Sequence, residues 1–466
     1  MMNVSKSLSN VNNWTLLLSI AQKKSRMYDP QDDLLWFWHL RVVESPTTTM
    51  NVGNLVNDVE EFLQRQQSDK VARLLAISYD GSAPINESDS AIDSICRSSL
   101  SNGYDDLVAP LLKAKRLVHQ KKYADAYDLQ IAGFMYVKIF RDQNNWLVPL
   151  LQRLTYDTRV LAQHADSELS NKRGIDVTDK LVRPSWLNLV RTLHASQANA
   201  EQNLKKGFSM TLNDRAAPEY SKKPATLYVV NQLFKIYFRI NLCGNVIQAI
   251  NKQNFSIFDK RDQVTYMYYL GRIRMLEDNY VEANECFGFA WRHCPVQCTR
   301  NKRYDRGTVV SAHLDRRMIL QYLVPVKLVL GVLPSPALLE QYELDEYVAI
   351  ASAIKQGNLA AFYHVWIYSE FQVQFMQQGM YLLMQKLSLL VMRTLLKKVY
   401  LIRGKKDKVQ LTDFLTALAF VGTSMDMDAL ECVIANLIVK NYVKGFMSHK
   451  LNVLVLSKSD PFPAIE

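Results

Sequence analysis

Val443-Lys444-Gly445-Phe446-Met447-Ser448-His449-Lys450-Leu451-Asn452-Val453-Leu454-Val455-Leu456-Ser457 is the stretch that decides the fold. Before it, apolar residues recur every three or four positions, the period of a helix face; within it the period drops to two. The change predicts two strands, Val443 to Ser448 and Leu451 to Ser457, around a turn at His449-Lys450. Just upstream, a helix opened by Ser424 or Asp426 runs to Asn441, and a short one covers Leu411 to Phe420. A long helix from about 378 to 402 precedes them, with Leu387, Val391, Leu395, Val399 and Ile402 on one stripe. Three helices followed by a β-hairpin make a winged helix, a variant of the helix-turn-helix.

Further back the chain reads as helical repeats. Between 263 and 294, Gly271, Tyr280, Ala283, Phe287 and Ala290 fall at tetratricopeptide-like offsets, with small residues where two helices cross closely. Ala114, Tyr123, Ala126 and Gly133 echo part of that pattern, but not a whole number of repeats away, so the series is degenerate. Leu107, Leu111, Leu112, Ala114, Leu117 and Val118 make one amphipathic face. A separate helix is expected through Ile131, Phe134, Val137 and Phe140, and others near 145–168 and 181–205. Residues 295–315, with Pro295 and then Thr299-Arg300-Asn301-Lys302-Arg303-Tyr304-Asp305-Arg306-Gly307, read as a basic exposed loop.

This gives an all-α chain in three parts: an irregular N-terminal helical region (1–105), a TPR-like solenoid (106–375) and a winged-helix domain (376–466). In the first part the aromatic cluster Leu34-Leu35-Trp36-Phe37-Trp38 is expected to be buried against the next unit rather than to anchor a partner. With 466 residues the chain exceeds what one core sustains. Only 16 Gly and 14 Pro argue against an all-β fold, which needs frequent turn residues. Six cysteines without framework spacing read as reduced thiols. No stretch approaches the length of uninterrupted apolar sequence that crosses a bilayer, so no membrane insertion is expected.

Several multi-residue strings carry a family resemblance: Asn231-Gln232-Leu233-Phe234-Lys235-Ile236-Tyr237-Phe238, Tyr268-Tyr269-Leu270-Gly271-Arg272, Arg317-Met318-Ile319-Leu320, Leu323-Val324-Pro325-Val326-Lys327, Lys397-Lys398-Val399-Tyr400-Leu401, and the end from Ala435 to Pro463. Over roughly 105–466 the chain resembles the PCI-domain subunits of the nuclear mRNA-export machinery (transcription-export complex 2). The resemblance fails over the first hundred residues and at an insertion of roughly 296–315. It implies helical repeats followed by a winged helix. It also implies a large PCI-like scaffold partner, a small acidic subunit of the DSS/Sem type, and nucleic-acid binding by paired winged helices. Lys235, Arg239 and Arg272 become candidates for gripping the acidic subunit.

The net charge of +11 favours polyanionic partners. Between 379 and 408 stand eight basic residues, Lys386, Arg393, Lys397, Lys398, Arg403, Lys405, Lys406 and Lys408, against the single acidic Asp407. Lys386, Arg393 and Lys397 share a helix face, and the hairpin adds Lys444, Lys450 and Lys458. Such a patch suits sequence-independent contacts to RNA or DNA phosphates. No aromatic residue interleaves with these lysines, so base stacking has no support in the sequence.

Cys286, His293, Cys294 and Cys298 lack the spacing of paired zinc knuckles, and no metal or other cofactor is expected. Gly404-Lys405-Lys406 lacks the preceding glycine and the Ser/Thr of a phosphate loop, and no hydrolase or metalloprotease motif is present. A non-catalytic scaffold subunit of a nuclear, pore-associated mRNA-export complex, with some cytoplasmic pool, is therefore expected. The alternative is a structural PCI subunit of a proteasome-lid or signalosome-type assembly, without nucleic-acid binding. The close at Asp460-Pro461-Phe462-Pro463, where lid subunits usually carry a further helix, argues against that alternative.

Overall fold

The computed structural model describes residues 51–77, 85–135, 140–141, 143–172, 195–240, 252–295, 306–367 and 371–465. The Leu34–Trp38 cluster, Cys298, most of the expected 181–205 helix and residues 296–305 lie outside them. The chain divides into two compact units between Tyr269 and Leu270.

In the first unit, α1 (Val52–Gln64), α2 (Ser68–Leu75) and α3 (Asp89–Ser99) precede α4 (Asp105–His119) and α5 (Tyr123–Met135). Then come α6 (Val148–Lys172), α7 (Ala195–Leu212) and α8 (Thr226–Ile240). One apolar core joins Val56, Val59, Val71 and Ile92 to Leu107, Val108 and Leu112 and to Leu150 and Leu154, so it runs straight through position 105. The helix expected separately through Ile131 and Phe134 is the second half of α5. Gly133 shows why a small residue recurs here: a Cβ on it would stand 3.1 Å from the Leu111 side chain, where α5 meets α4.

A second layer of contacts in this unit is polar. Arg153 and Asp157, one turn apart on α6, form a buried ion pair at 2.6 Å. Asp157 also accepts from the Ile77 amide at 3.3 Å, and Arg153 donates to the Ile77 carbonyl at 2.8 Å. The buried Lys222 ammonium donates to the carbonyls of Phe140, Arg141 and Gln143. Buried charge persists where every donor finds an acceptor, and these groups close backbone ends that the helices leave open.

The helix α9 (Lys260–Leu276) spans the boundary between the units. In the second unit α10 (Tyr280–His293) follows it, capped by Asn279, whose side chain accepts from the Glu282 amide. A Cβ on Gly271 would lie 2.9 Å from the Phe287 ring, the close crossing that the repeat spacing predicts.

Next, α11 spans Arg306–Val329, so residues 306–315, read from sequence as exposed loop, are helical. Gly307 and the β-branched run Thr308-Val309-Val310 weaken local propensity, but helix growth is cooperative and the apolar turns from Met318 onward extend it backwards. Arg316 fastens this helix to the end of α10: it lies 3.7 Å over the Trp291 ring and donates to the Cys294 carbonyl at 2.9 Å.

Four helices follow: α12 (Pro336–Gln341), α13 (Asp345–Gln356), α14 (Leu359–Ile367) and α15 (Phe371–Gln377). The winged helix then begins with α16 (Tyr381–Ile402), which buries Leu387, Val391, Leu395 and Val399 of its stripe but leaves the last expected member, Ile402, 83% exposed at the helix end. Gly357 ends α13 in the left-handed region at φ 69°, and a Cβ there would meet the Leu395 amide at 2.8 Å.

After α16 come β1 (Lys408–Gln410), α17 (Leu411–Phe420), α18 (Met427–Val439), β2 (Gly445–Ser448) and β3 (Val453–Leu456). The strands form an antiparallel sheet in the order β1-β3-β2, with Val409 opposite Leu454 and Phe446 opposite Val455. β1 escaped the sequence reading because three residues are too few to show a period. The described chain is thus all-α, with TPR-like repeats followed in sequence by a winged helix and its small sheet.

Candidate nucleic-acid interface

The predicted basic residues fall into three groups. The first is occupied with holding the domain together. Arg393 is half-buried on α16; its Nε donates to the Tyr442 carbonyl at 2.9 Å and its Nη2 to that of Pro463 at 2.5 Å. Burial depresses its pKa, as expected for a cation withdrawn from water. Its contacts fix the closing segment, where Phe462 packs on Tyr400 with ring centroids 5.6 Å apart and the Lys444 amide donates to Pro461. Lys398 donates to the Gln356 carbonyl at 2.7 Å and so caps α13. Arg393 therefore presents no uncommitted cation to a phosphate, whereas Lys398 is exposed and keeps two N–H donors beside its bond to Gln356.

The second group is paired with carboxylates. Lys386 meets Asp278 at 2.5 Å and lies over the Tyr280 ring. Arg403 pairs with Asp413, and Lys444 reaches Asp460 at 3.9 Å. Exposed pairs of this kind contribute roughly 0–1 kcal/mol and exchange partners readily. They lower local charge without sealing it away.

The third group is open. Lys397, Lys405, Lys406 and Lys450 are exposed and make no ion pair among the described residues, and the same holds for Lys408 and Lys458. Gly404 and Lys405 both take left-handed backbone, at φ 72° and 58°, closing α16 in a tight turn that holds Lys405, Lys406 and Lys408 close together in the chain. At the wing, His449 Nδ1 stands 2.7 Å from Glu431 of α18.

The helix that would read bases in a helix-turn-helix is α18, and it carries no cation from Met427 to Val439. Its exposed positions are Asp428, Ala429, Cys432, Ala435, Asn436 and Val439, the last 84% exposed. Neighbouring apolar groups also face solvent, Phe446 at 64% on the edge strand β2 and Leu451 in the wing. An acidic, apolar α18 disfavours insertion into a DNA groove, so phosphate contact is left to cations outside α18.

The structure places Lys235 inside the first unit at 4% exposure, on the α8 helix it was expected to project from. A buried ammonium cannot meet a partner peptide without opening the helix stack. Arg239 is half-buried, and Arg272 is half-buried with its guanidinium 4.8 Å from the Tyr322 ring.

A cavity of about 450 Å³ in the second unit is lined by Asp278 before α10, Tyr280 and Val281 at its start, Val329 and Leu330, Lys386 and Leu390 of α16, and Lys440 and Tyr442 after α18; of these only Lys386 was a predicted site residue. No sequence signal joins them, because four separated segments supply the wall. Two hydrogen bonds, from Lys386 and Tyr280, hold the Asp278 carboxyl below its ordinary pKa.

A model of the PCI domain matches residues 368–458, the winged helix with α15 before it. A model described as "PSMD3-like, N-terminal TPR repeats" matches 202–349. PCI domain-containing protein 2 of Xenopus laevis is 31% identical over 425 residues, covering 89% of this chain and 98% of that protein. The chain belongs to the PCI domain family. The Drosophila melanogaster homolog of PCI domain-containing protein 2 is 36% identical over 372 residues, covering 78% of this chain and 85% of that protein. The Neurospora crassa "Protein CSN12 homolog" is 28% identical, covering 77% and 82%. Membership makes this a scaffold-type PCI protein. Among the described residues no helix is long and apolar enough to cross a membrane.

Proposed function

We propose that this PCI protein is a non-catalytic scaffold subunit of a nuclear mRNA-export complex at the nuclear pore. It pairs with a large PCI-like scaffold subunit and a small acidic subunit of the DSS/Sem type, and contacts RNA or DNA without sequence preference through its winged helix. The observation that carries the nucleic-acid part is the cluster of open cations, Lys397, Lys405, Lys406 and Lys450, on a domain whose α18 is unsuited to reading bases. Cations without directional partners neutralise phosphates and release counterions, which gives affinity but no sequence code. The apolar groups Phe446 and Leu451 and the edge strand β2 supply the docking surface for the large partner. Arg239 and Arg272, each half-buried and in different units, are separate candidates for contact with the acidic subunit.

The test is a charge reversal at Lys397, Lys405 and Lys406 in the full chain, with binding to labelled RNA measured by anisotropy at low salt. Binding is expected to weaken by an order of magnitude or more, with a shallower salt dependence. Unchanged binding would remove the nucleic-acid role. Arg393 is left out of the set because its loss would loosen the closing segment.

A second reading has its own support: the PSMD3-like repeats, the relative named as a CSN12 homolog, and the same edge strand. In it the protein is a structural PCI subunit of a proteasome-lid or signalosome-type assembly that makes no nucleic-acid contact. Co-purification from nuclear extract, with partners identified by mass spectrometry, separates the two.

A further inference from the structure

The cavity at the foot of α16 combines features that a phosphate-binding patch does not need. Two tyrosines, Tyr280 and Tyr442, line it together with Val281, Val329, Leu330 and Leu390, and the Lys386 ammonium lies over the Tyr280 ring, which leaves Tyr442 as the aromatic group for a ligand. Two lysines, Lys386 and Lys440, share the same lining, and one carboxylate, Asp278, lies among them. About 450 Å³ is the size of a small-ligand site, with room for one planar heterocycle and several waters.

The charges select the occupant. Asp278 is held ionised by its bonds from Lys386 and Tyr280. An acidic peptide side chain entering here would face that carboxylate. A neutral base would not, and its ring N–H or amino groups would find an acceptor. Lys440 is exposed and makes no ion pair among the described residues, which leaves an ammonium for the phosphate next to such a base. Lys397 lies three turns further along the same face of α16, ~16 Å from Lys386 at the rise of a helix, with the turn lysines Lys405 and Lys406 beyond it. That span suits a few nucleotides of extended backbone.

We propose that this cavity seats an unstacked nucleobase of single-stranded RNA, with Lys440 on the adjoining phosphate and the strand running along α16 toward Lys397 and the α16–β1 turn. A paired base is not available to such a site, so single strands are preferred over duplex. The proposal rests on the nucleic-acid reading above and assigns it a strand type.

The experiment compares two labelled probes on the full chain: an eight-nucleotide oligoadenylate RNA and an eight-unit abasic ribose-phosphate oligomer of equal charge. The expected result is about tenfold tighter binding of the oligoadenylate, the range found for one base on an aromatic platform. Tyr442→Ala is expected to erase that difference. Val281→Glu, at a rim position 56% exposed and so safe for folding, should erase it too. Equal binding of the two probes to the unaltered protein overturns the base site while leaving phosphate binding intact. Binding of neither probe at low salt overturns both this proposal and the reading beneath it. Displacement of the RNA by a glutamate- and tyrosine-containing peptide, with the same dependence on Val281, would make the cavity a protein-docking site and overturn the proposal.

Discussion

Two lysines illustrate how differently the two units of this chain use charge. In the first unit, the Lys222 ammonium is buried and donates to three carbonyl oxygens at 2.7 to 3.1 Å. In the winged helix, Lys406 is exposed and makes no ion pair among the described residues. The same holds more widely. Arg153 and Asp157 are spent inside on each other and on Ile77, whereas the α16–β1 turn leaves its cations in water. Buried charge fixes geometry and is costly to disturb; exposed charge adds little to stability and remains available to a partner. Arg393 belongs with the first kind although it sits among the second.

The sharpest break of this contrast comes from Asp157→Ala, which strands the Arg153 guanidinium in the interior. A loss of about 3–5 kcal/mol is expected, measured by denaturant unfolding. Arg393→Gln should cost less, about 1–3 kcal/mol, since two charge-assisted hydrogen bonds are weakened at a half-buried site. Its signature is local: faster amide exchange from Ser457 to Ile465, before global unfolding.

Asp262 offers a pH handle on the buried class. Burial raises its carboxyl to about 7, against the hydrogen bond from Asn231, which opposes the rise. A carboxyl whose folded pKa lies above its unfolded value binds the proton more tightly when folded. Its contribution is therefore complete below the unfolded pKa and is lost as pH rises through about 7. Denaturation midpoints should fall between about pH 4 and 7, and Asp262→Asn should flatten that fall. A parallel fall in the variant would show that another group is responsible. The smallest effect belongs to Lys405→Glu with Lys406→Glu, where stability should stay within about 0.5 kcal/mol while RNA affinity drops. A large loss of stability would move these lysines into Arg393's class.

Helices with a full apolar stripe were legible in advance. Leu387, Val391, Leu395 and Val399 are buried on α16 as their spacing requires, and the switch to period two marked the hairpin. Residues 306–315 were not legible, because a glycine, β-branched residues and a basic approach hid a helix that its own downstream turns carry. The strand β1 was too short to have a period. For the basic residues the sequence showed the cluster but not its division, since a lysine's partner lies outside its own neighbourhood: Asp278 is 108 positions from Lys386, and Pro463 is 70 from Arg393.

By itself, then, the sequence determined the helical repeats, the winged helix and the excess of positive charge, since periodicity and composition are local quantities. Tertiary structure alone decided which cations are committed, which stay open, and that tyrosines from two distant turns stand beside Lys386 and Lys440. Those facts depend on which chain segments meet, and side-chain spacing along one segment carries no record of what packs across from it.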